Sequence, residues 1–185
     1  MRYTLGALVE NQFGVLARVS GLFSRRGFNI ESLAVGPTED PSMSRITIVI
    51  EGDDRVRDQM VGQMEKLVDV LSVQALAPDA MVSRELALIK VRADHATRAA
   101  IMQVVDVFRG QVVDVGKESL MVEITGDERK VGALLEVLAD YGVLEVARTG
   151  AVALARGAEV LRMEPDGGGA EDPAGGPRER TVESA

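Results

Sequence analysis

Residues 10–29 read Glu-Asn-Gln-Phe-Gly-Val-Leu-Ala-Arg-Val-Ser-Gly-Leu-Phe-Ser-Arg-Arg-Gly-Phe-Asn, and they determine how the first half of the chain folds. The stretch follows an apolar segment and predicts a turn from a strand into a helix, with Gly14 supplying backbone freedom at the turn. The apolar residues of the helix recur at helical spacing and form one stripe: Val15, Leu16, Val19, Leu22 and Phe23. Gly27 then ends the helix.

A strand, a short glycine turn and a helix start leave free backbone N–H groups that point at one spot. Such a spot suits an anion, for example a carboxylate. The alternative is that the turn binds nothing, as most glycine-containing turns do, and that Asn11 only caps or turns the chain. The local pattern alone favours this alternative.

Strand and helix periods continue on both sides of this stretch. Residues 45–51 alternate Ile46, Ile48 and Ile50 with other residues, which predicts a strand. The first half reads as strands at 3–9, 29–35, 45–51 and 68–76, with helices at 15–26 and around Met60. Its order is therefore βαββαβ, with a proline-containing loop at 36–42.

The same order repeats after Pro78-Asp79. Arg26-Gly27 matches Arg109-Gly110, and Gly52-Asp53 matches Gly126-Asp127, although chance similarity of two short units is the alternative. We expect Val152 to Leu154 to extend the edge of the second sheet. The predicted fold class is α+β, with two ferredoxin-like βαββαβ units. The predicted ranges are 1–77, 78–164 and a disordered, Gly- and Pro-rich tail at 165–185.

Each unit places two helices on one face of a four-stranded sheet, so the other face and the edge strands are expected to lack cover. Units of about 75 residues bury only ~60% of their unfolded surface. We therefore expect the chain to self-associate through its first unit.

Composition excludes several classes of protein. The absence of cysteine excludes disulfides and thiolate metal sites, and the single histidine, His95, cannot form a histidine cluster within one chain. A net charge of −8 argues against a nucleic-acid surface. No apolar run approaches the ~18 residues of a membrane span, and residues 1–6 resemble a strand and not a signal peptide, so a cytoplasmic location is expected.

Catalytic patterns are also missing from the sequence. Asp53-Asp54 and Asp127-Glu128 stand where helix caps belong, which explains them better than acid–base chemistry does. His95 is interpreted as a surface or capping residue. Arg18 is placed on the solvent side of the first helix together with Arg25 and Arg26.

The motifs of the chain resemble those of one known family, the regulatory (small) subunits of acetolactate synthase, also called acetohydroxyacid synthase. The resemblance runs from Arg2 to about Gly157 and leaves the tail outside. The matching segments are Glu10-Asn11-x-x-Gly14-x-Leu16-x-Arg18, residues 21–33, Pro37-Thr38-x-Asp40-Pro41, and residues 66–70, 84–91, 108–110 and 145–150.

This resemblance implies an N-terminal ACT domain, which is an amino-acid-sensing module, and a second domain of related topology. It implies that this chain is not catalytic and carries no cofactor. The partner would be a separate large subunit that holds thiamine diphosphate, Mg²⁺ and FAD and condenses pyruvate with a second 2-ketoacid. The small subunit would form a homodimer through its ACT domains, activate the large subunit and confer feedback inhibition by valine.

Valine is expected to bind where two first units meet, between the turn at 11–16 of one copy and the strand at 29–35 of its neighbour. Backbone N–H groups would hold its carboxylate, two asparagine amides would hold both ends of the zwitterion, and two aliphatic side chains would line the isopropyl group. The predicted valine-binding residues are Asn11, Gly14, Val15, Leu16, Asn29, Ile30 and Val35.

The large subunit is expected to dock on the proline-containing loop, which only the first unit has. The predicted docking residues are Pro37, Thr38, Glu39 and Asp40, and a plain surface connection is the alternative. Two other functions were weighed. A free-standing ACT-domain sensor does not explain the matches at 84–150, and an RNA-binding βαββαβ domain would need exposed aromatic and basic residues that 45–51 lacks.

Overall fold

Two antiparallel sheets with the same strand order make up the chain, in a computed structural model that describes residues 1–162. The first unit contains β1 (Arg2–Glu10), α1 (Val15–Arg25), β2 (Ile30–Pro37), β3 (Met43–Glu51), α2 (Asp54–Met64) and β4 (Val70–Leu76). The second contains β5 (Met81–Arg92), α3 (Arg98–Val107), β6 (Gln111–Val115), β7 (Ser119–Gly126), α4 (Glu128–Ala139), β8 (Val143–Arg148) and β9 (Val152–Ala155). No helix in this range is long and apolar enough to cross a membrane.

The strand periods place the core of the first unit between its sheet and its helices. Leu5 and Ala7 of β1 face the helices with Ile46, Ile48 and Ile50 of β3, and all five side chains are fully buried. The order of the sheet is β2-β3-β1-β4, which makes β2 and β4 its edges. The α+β class and the βαββαβ order predicted from the sequence are therefore confirmed.

The second unit repeats this arrangement, with strand order β6-β7-β5-β8 and a separate core. The sequence anchors of the repeat lie at equivalent places. Asp53 and Asp127 begin α2 and α4, and each carboxylate accepts a hydrogen bond of 2.9 Å from the backbone N–H three residues on. After each of α1 and α3 one residue adopts the left-handed conformation. This residue is Gly27 in the first unit and Arg109 in the second.

Several boundaries in the first unit differ from the sequence prediction. β2 ends at Pro37 and not at residue 35, β3 begins at Met43 and not at residue 45, and β4 begins at Val70 and not at residue 68. The predicted range of the tail, 165–185, lies outside the described residues, as does the end of the predicted second unit.

The expected position of β9 was wrong. β5 is twelve residues long, and its first part, Met81–Arg84, extends beyond the second sheet. β9 pairs with that extension and does not extend the edge next to β8. In this two-stranded pair, β9 lies against the first unit, and its Ala153 is 3% exposed.

The expectation that the open face of the first sheet lacks cover also needs correction. Thr47 and Val49 of β3 point away from the helices and are nevertheless buried. Thr47 Oγ1 accepts a hydrogen bond of 3.4 Å from the Ala153 backbone, and the Arg45 guanidinium donates one of 3.2 Å to the Ala153 carbonyl. The second unit of the same chain therefore covers part of this face.

Candidate effector site

The turn before α1 has the geometry of an anion-binding helix start. Gly14 has a φ of 83°, which is the left-handed conformation that glycine adopts most easily, and α1 begins at the next residue. No side chain caps this helix end, and its first turn contains no acidic residue. Aspartates cap α2 and α4 instead. The backbone N–H groups at the start of α1 are therefore available to a ligand.

The apolar residues around this turn are divided between core and surface. Val15 is buried, and its backbone N–H reaches only a long contact of 3.5 Å with the Gln12 carbonyl. Leu16, which the helical stripe placed in the core, is 44% exposed and lies beside the turn. Phe13 is fully exposed in the turn, and no sequence pattern had pointed to it.

Asn11 connects the turn to the proline-containing loop. Its backbone N–H donates to the Ser42 carbonyl at 2.7 Å, and its side-chain amide donates to the Pro41 carbonyl at 2.9 Å. Its amide oxygen accepts no hydrogen bond within residues 1–162. Asn11 can therefore anchor the loop and still offer an acceptor to an ammonium group.

Arg18 is exposed on the solvent side of α1, as the sequence predicted, and it also forms an ion pair. Its guanidinium donates to the two carboxylate oxygens of Asp69 at 2.6 and 2.7 Å. This pairing lowers the pKa of Asp69, because the hydrogen bonds from Arg18 stabilise the charged carboxylate. One nitrogen of Arg18 also lies 3.2 Å from the position that a Cβ atom on Gly14 would take. Arg18 is thus a neighbour of the turn that sequence reasoning missed.

The remaining predicted residues lie on β2 and at its start. Ile30 lies opposite Ile50, and Val35 lies opposite Ile46, so both side chains are on the helix side of the sheet. Ile30 is half-buried, whereas Asn29 and Val35 are exposed. As an edge strand, β2 pairs only with β3 within the described part of the chain.

The structure separates the predicted valine-binding residues into two groups within one copy. The turn follows Glu10, which lies opposite Met43 at the start of β3, whereas Asn29 precedes Ile30, which lies opposite Ile50 near the end of β3. Seven residues of β3 separate these positions, or roughly 23 Å at ~3.3 Å per residue. Val35 lies near the end of β2 that adjoins the turn. Asn29 and the turn therefore cannot contact one small ligand within a single copy.

The predicted docking residues form a compact loop beside the turn. Thr38 Oγ1 accepts from the Asp40 backbone at 3.1 Å, and the Asp40 carboxylate accepts from the Ser42 backbone and hydroxyl at 2.8 and 2.7 Å. These bonds from Ser42 lower the pKa of Asp40. Pro37 and Glu39 are exposed. The loop therefore holds its shape through its own hydrogen bonds and those of Asn11.

His95 and the paired acids have the structural roles that the sequence favoured. His95 is exposed, and Asp94 beside it accepts hydrogen bonds from the backbone of Ala96 and Thr97 just before α3. No group of three or more His, Cys, Asp or Glu side chains in residues 1–162 is arranged to hold a metal ion.

Comparisons with known proteins cover both units. Residues 5–72 match the model of the acetohydroxyacid synthase small-subunit-like ACT domain, and residues 84–157 match the model of the small subunit of acetolactate synthase. The chain is 54% identical over 155 residues to the acetolactate synthase small subunit of Mycolicibacterium smegmatis, covering 84% of this chain and 91% of the relative.

Two further relatives agree. The probable acetolactate synthase small subunit of Archaeoglobus fulgidus is 50% identical over 157 residues, which is 85% of this chain and 98% of that protein. The crystal structure of the small subunit from Thermotoga maritima superposes with a TM-score of 0.79 at 44% identity, covering 84% of this chain and 98% of the other. The chain belongs to the family of acetolactate synthase small subunits, and its first unit is an ACT domain.

Proposed function

We propose that this chain activates the catalytic large subunit of acetolactate synthase and makes it sensitive to feedback inhibition by valine. Family membership supports the regulatory role. The observation that carries the effector part is the uncapped start of α1 behind a left-handed Gly14. A free amino acid presents the carboxylate that such a helix end attracts, and the helix dipole contributes ~0.3–1 kcal/mol to its binding.

The valine site in this proposal lies between two copies of the first unit. The two groups of predicted residues lie too far apart to share a ligand in one copy, but an antiparallel pairing of β2 with its counterpart would bring them together. A pairing centred on Leu33, with Glu31 bulged as it is against β3, places Ile30 opposite the partner's Val35. The turn of one copy then adjoins Asn29 and Ile30 of the other.

Each part of valine finds suitable chemistry in this arrangement. The N–H groups of Gly14, Val15 and Leu16 receive the carboxylate, and the Asn11 amide oxygen accepts from the ammonium group. The partner's Asn29 offers a second amide, and aliphatic side chains of β2 surround the isopropyl group. Such walls separate neighbouring aliphatic amino acids weakly, because one methylene is worth roughly 1–3 kcal/mol.

The large subunit is the second partner in this proposal, and it holds the thiamine diphosphate, Mg²⁺ and FAD that the family resemblance implies. The complex acts in the cytoplasm. The loop at residues 37–40 contributes to docking, since it is exposed, internally bonded and present only in the first unit.

A free-standing ACT-domain sensor is the alternative from another class of protein. The match of residues 84–157 to the small-subunit model favours the regulatory subunit, because a free-standing sensor has no need of that second unit. A pull-down against the large subunit separates the two functions.

The test of this proposal is the activity of the large subunit with and without the chain, titrated with valine. We expect the chain to raise the activity and valine to lower the raised activity again. An unchanged activity would contradict the regulatory role, and activation that is insensitive to valine would contradict the effector role.

A further inference from the structure

Two of the motifs that mark the family meet at the contact between the two units. One is the segment Glu31-Ser32-Leu33 of β2, and the other is Thr149-Gly150-Ala151, which links β8 to β9. Neither the proposed valine contacts nor the docking loop uses these residues. We call the contact between the two segments the β2 joint.

The β2 joint has a direct hydrogen bond at its centre. The Ala151 backbone N–H donates to Ser32 Oγ at 2.8 Å. Gly150 lies so close to β2 that a Cβ atom there would be 2.7 Å from Ser32 Oγ and 3.3 Å from the Leu33 carbonyl. Its φ of 79° also favours glycine. A side chain at this position would displace the Ser32 hydroxyl and crowd the Leu33 carbonyl.

Ionic and polar contacts hold both sides of the joint. The Arg2 guanidinium donates to Glu31 on β2 at 2.6 Å and also pairs with Glu128 at the start of α4. Within the second unit, Arg148 pairs with the buried carboxylate of Glu85. The Thr149 backbone N–H donates to the Leu86 carbonyl at 3.0 Å. The segment that contacts β2 is therefore fixed to its own unit and moves with it.

β2 is well suited to shift against the rest of its sheet. Its register with β3 slips between Ile30 and Ser32, so that Glu31 forms a bulge. The bulge stands between the proposed effector residues, Asn29 and Ile30, and the joint. Pairing is locally interrupted there, so a displacement of Ile30 alters the position of Ser32 at little cost.

We propose that the β2 joint couples valine occupancy at the start of β2 to the placement of the second unit. Ser32 and Gly150 act as positioning residues, because they contact each other across the joint and not the ligand. This inference rests on the proposed valine site. Since coupling between two equilibria is reciprocal, the factor by which valine shifts the joint equals the factor by which the state of the joint changes valine affinity. A substitution at Gly150 that displaces the joint therefore changes valine affinity by up to that factor.

The test compares two glycine-to-alanine variants of the full chain, with valine affinity measured by calorimetry. Gly150→Ala places a methyl group against Ser32. Gly157→Ala is the matched control, because Gly157 has a similar φ of 73° and, among residues 1–162, no atom lies within 4 Å of its Cβ position. We expect Gly150→Ala to change the valine Kd about fivefold or more and Gly157→Ala to leave it within about twofold.

Hydrogen exchange of the unmodified chain gives a second readout that needs no variant. Saturating valine should change the exchange rate of the Ala151 amide severalfold, while the amide of Val122 in the second core stays constant. If valine binds but leaves both the Ala151 exchange and the Gly150→Ala affinity unchanged, the coupling is refuted and the valine site survives. If the unmodified chain binds no valine, the proposed function fails and the coupling fails with it.

Discussion

At Gly14 the backbone adopts a φ of 83°. A Cβ atom added to this residue would lie 3.2 Å from a nitrogen of the Arg18 guanidinium. Gly14→Asp therefore adds backbone strain, and it places a carboxylate where the valine carboxylate is proposed to bind. We expect the valine concentration for half-inhibition of the reconstituted enzyme to rise about tenfold or more, equivalent to ~1.4 kcal/mol, with activation preserved.

Gly157→Asp is the control for this substitution, because it makes the same change at a φ of 73° with no neighbour within 4 Å. It should leave both valine inhibition and activation as they are in the unmodified chain. Normal valine inhibition in Gly14→Asp would place the effector elsewhere on the chain.

The ion pair of Arg18 and Asp69 makes folding sensitive to acid. The pKa of Asp69 is lowered in the folded chain by hydrogen bonds from Arg18, so the stabilisation is complete above the ordinary carboxyl value of 3.8 and is lost as the pH falls through the lower folded value. We expect Asp69→Asn to be less stable than the unmodified chain at about pH 6, with the difference shrinking towards pH 3.

Urea unfolding at a series of pH values checks this expectation. Asp79→Asn serves as the control, because Asp79 is exposed between the units and forms no ion pair within residues 1–162. A difference between Asp69→Asn and the unmodified chain that stays constant with pH would show that the ion pair does not contribute to stability.

Prediction of single residues from the sequence succeeded where a residue acts on its close neighbours in the chain. It failed where a residue contacts one that is distant in the chain. Gly14 and the capping aspartates act on the backbone within a few residues, so their roles could be predicted from their neighbours. The ion pair of Arg18 could not be predicted, because its partner, Asp69, is 51 residues away. Leu16 has the spacing of the apolar stripe, but it lies in the first turn of α1 and its side chain is 44% exposed.

At the level of elements, the loop at residues 38–40 carries the docking prediction. Replacing Thr38-Glu39-Asp40 by Gly-Ser-Gly removes the internal hydrogen bonds, while the backbone carbonyls that bind Asn11 belong to Pro41 and Ser42 and remain. We expect the chain concentration for half-maximal activation to rise about fivefold or more, with valine affinity unchanged by calorimetry.

The control is the equivalent connection of the second unit, between β6 and β7, where Lys117→Ser and Glu118→Gly remove two exposed charges. This control should activate normally. Activation that is unaffected by the replacement at 38–40 would make that loop a plain surface connection.

Alternation of apolar residues predicted strands in both units, but it could not assign β9. A segment of four residues has too few positions to distinguish one pairing partner from another. The extension of β5 to twelve residues supplies that partner. β9 is in turn buried at Ala153 by contact with the first unit. Such strand pairings depend on tertiary contacts that periodicity does not contain.

For the whole molecule, the sequence predicted two related units and a sheet face without cover, and the structure shows that the second unit covers part of that face in the first unit. Small and polar residues on that face, such as Gly6 and Thr47, are compatible with contact to the same chain or to another. β2 remains an edge strand, and it is through β2 that we expect self-association.

The central claim is that one valine site needs residues from two copies of the chain. Gly14→Asp damages the turn and Asn29→Ala damages the strand, so each variant alone should bind valine at least about tenfold more weakly than the unmodified chain. When the two variants are unfolded, mixed in equal amounts and refolded together, half of the dimers are mixed. Each mixed dimer then combines an intact turn from one copy with an intact Asn29 from the other.

Calorimetry of this mixture, after confirmation that mixed dimers have formed, is the most direct test. Our account predicts that valine binding reappears with the affinity of the unmodified chain and at roughly a quarter of its number of sites. No recovery of binding in the mixed dimers would contradict a site shared between two copies.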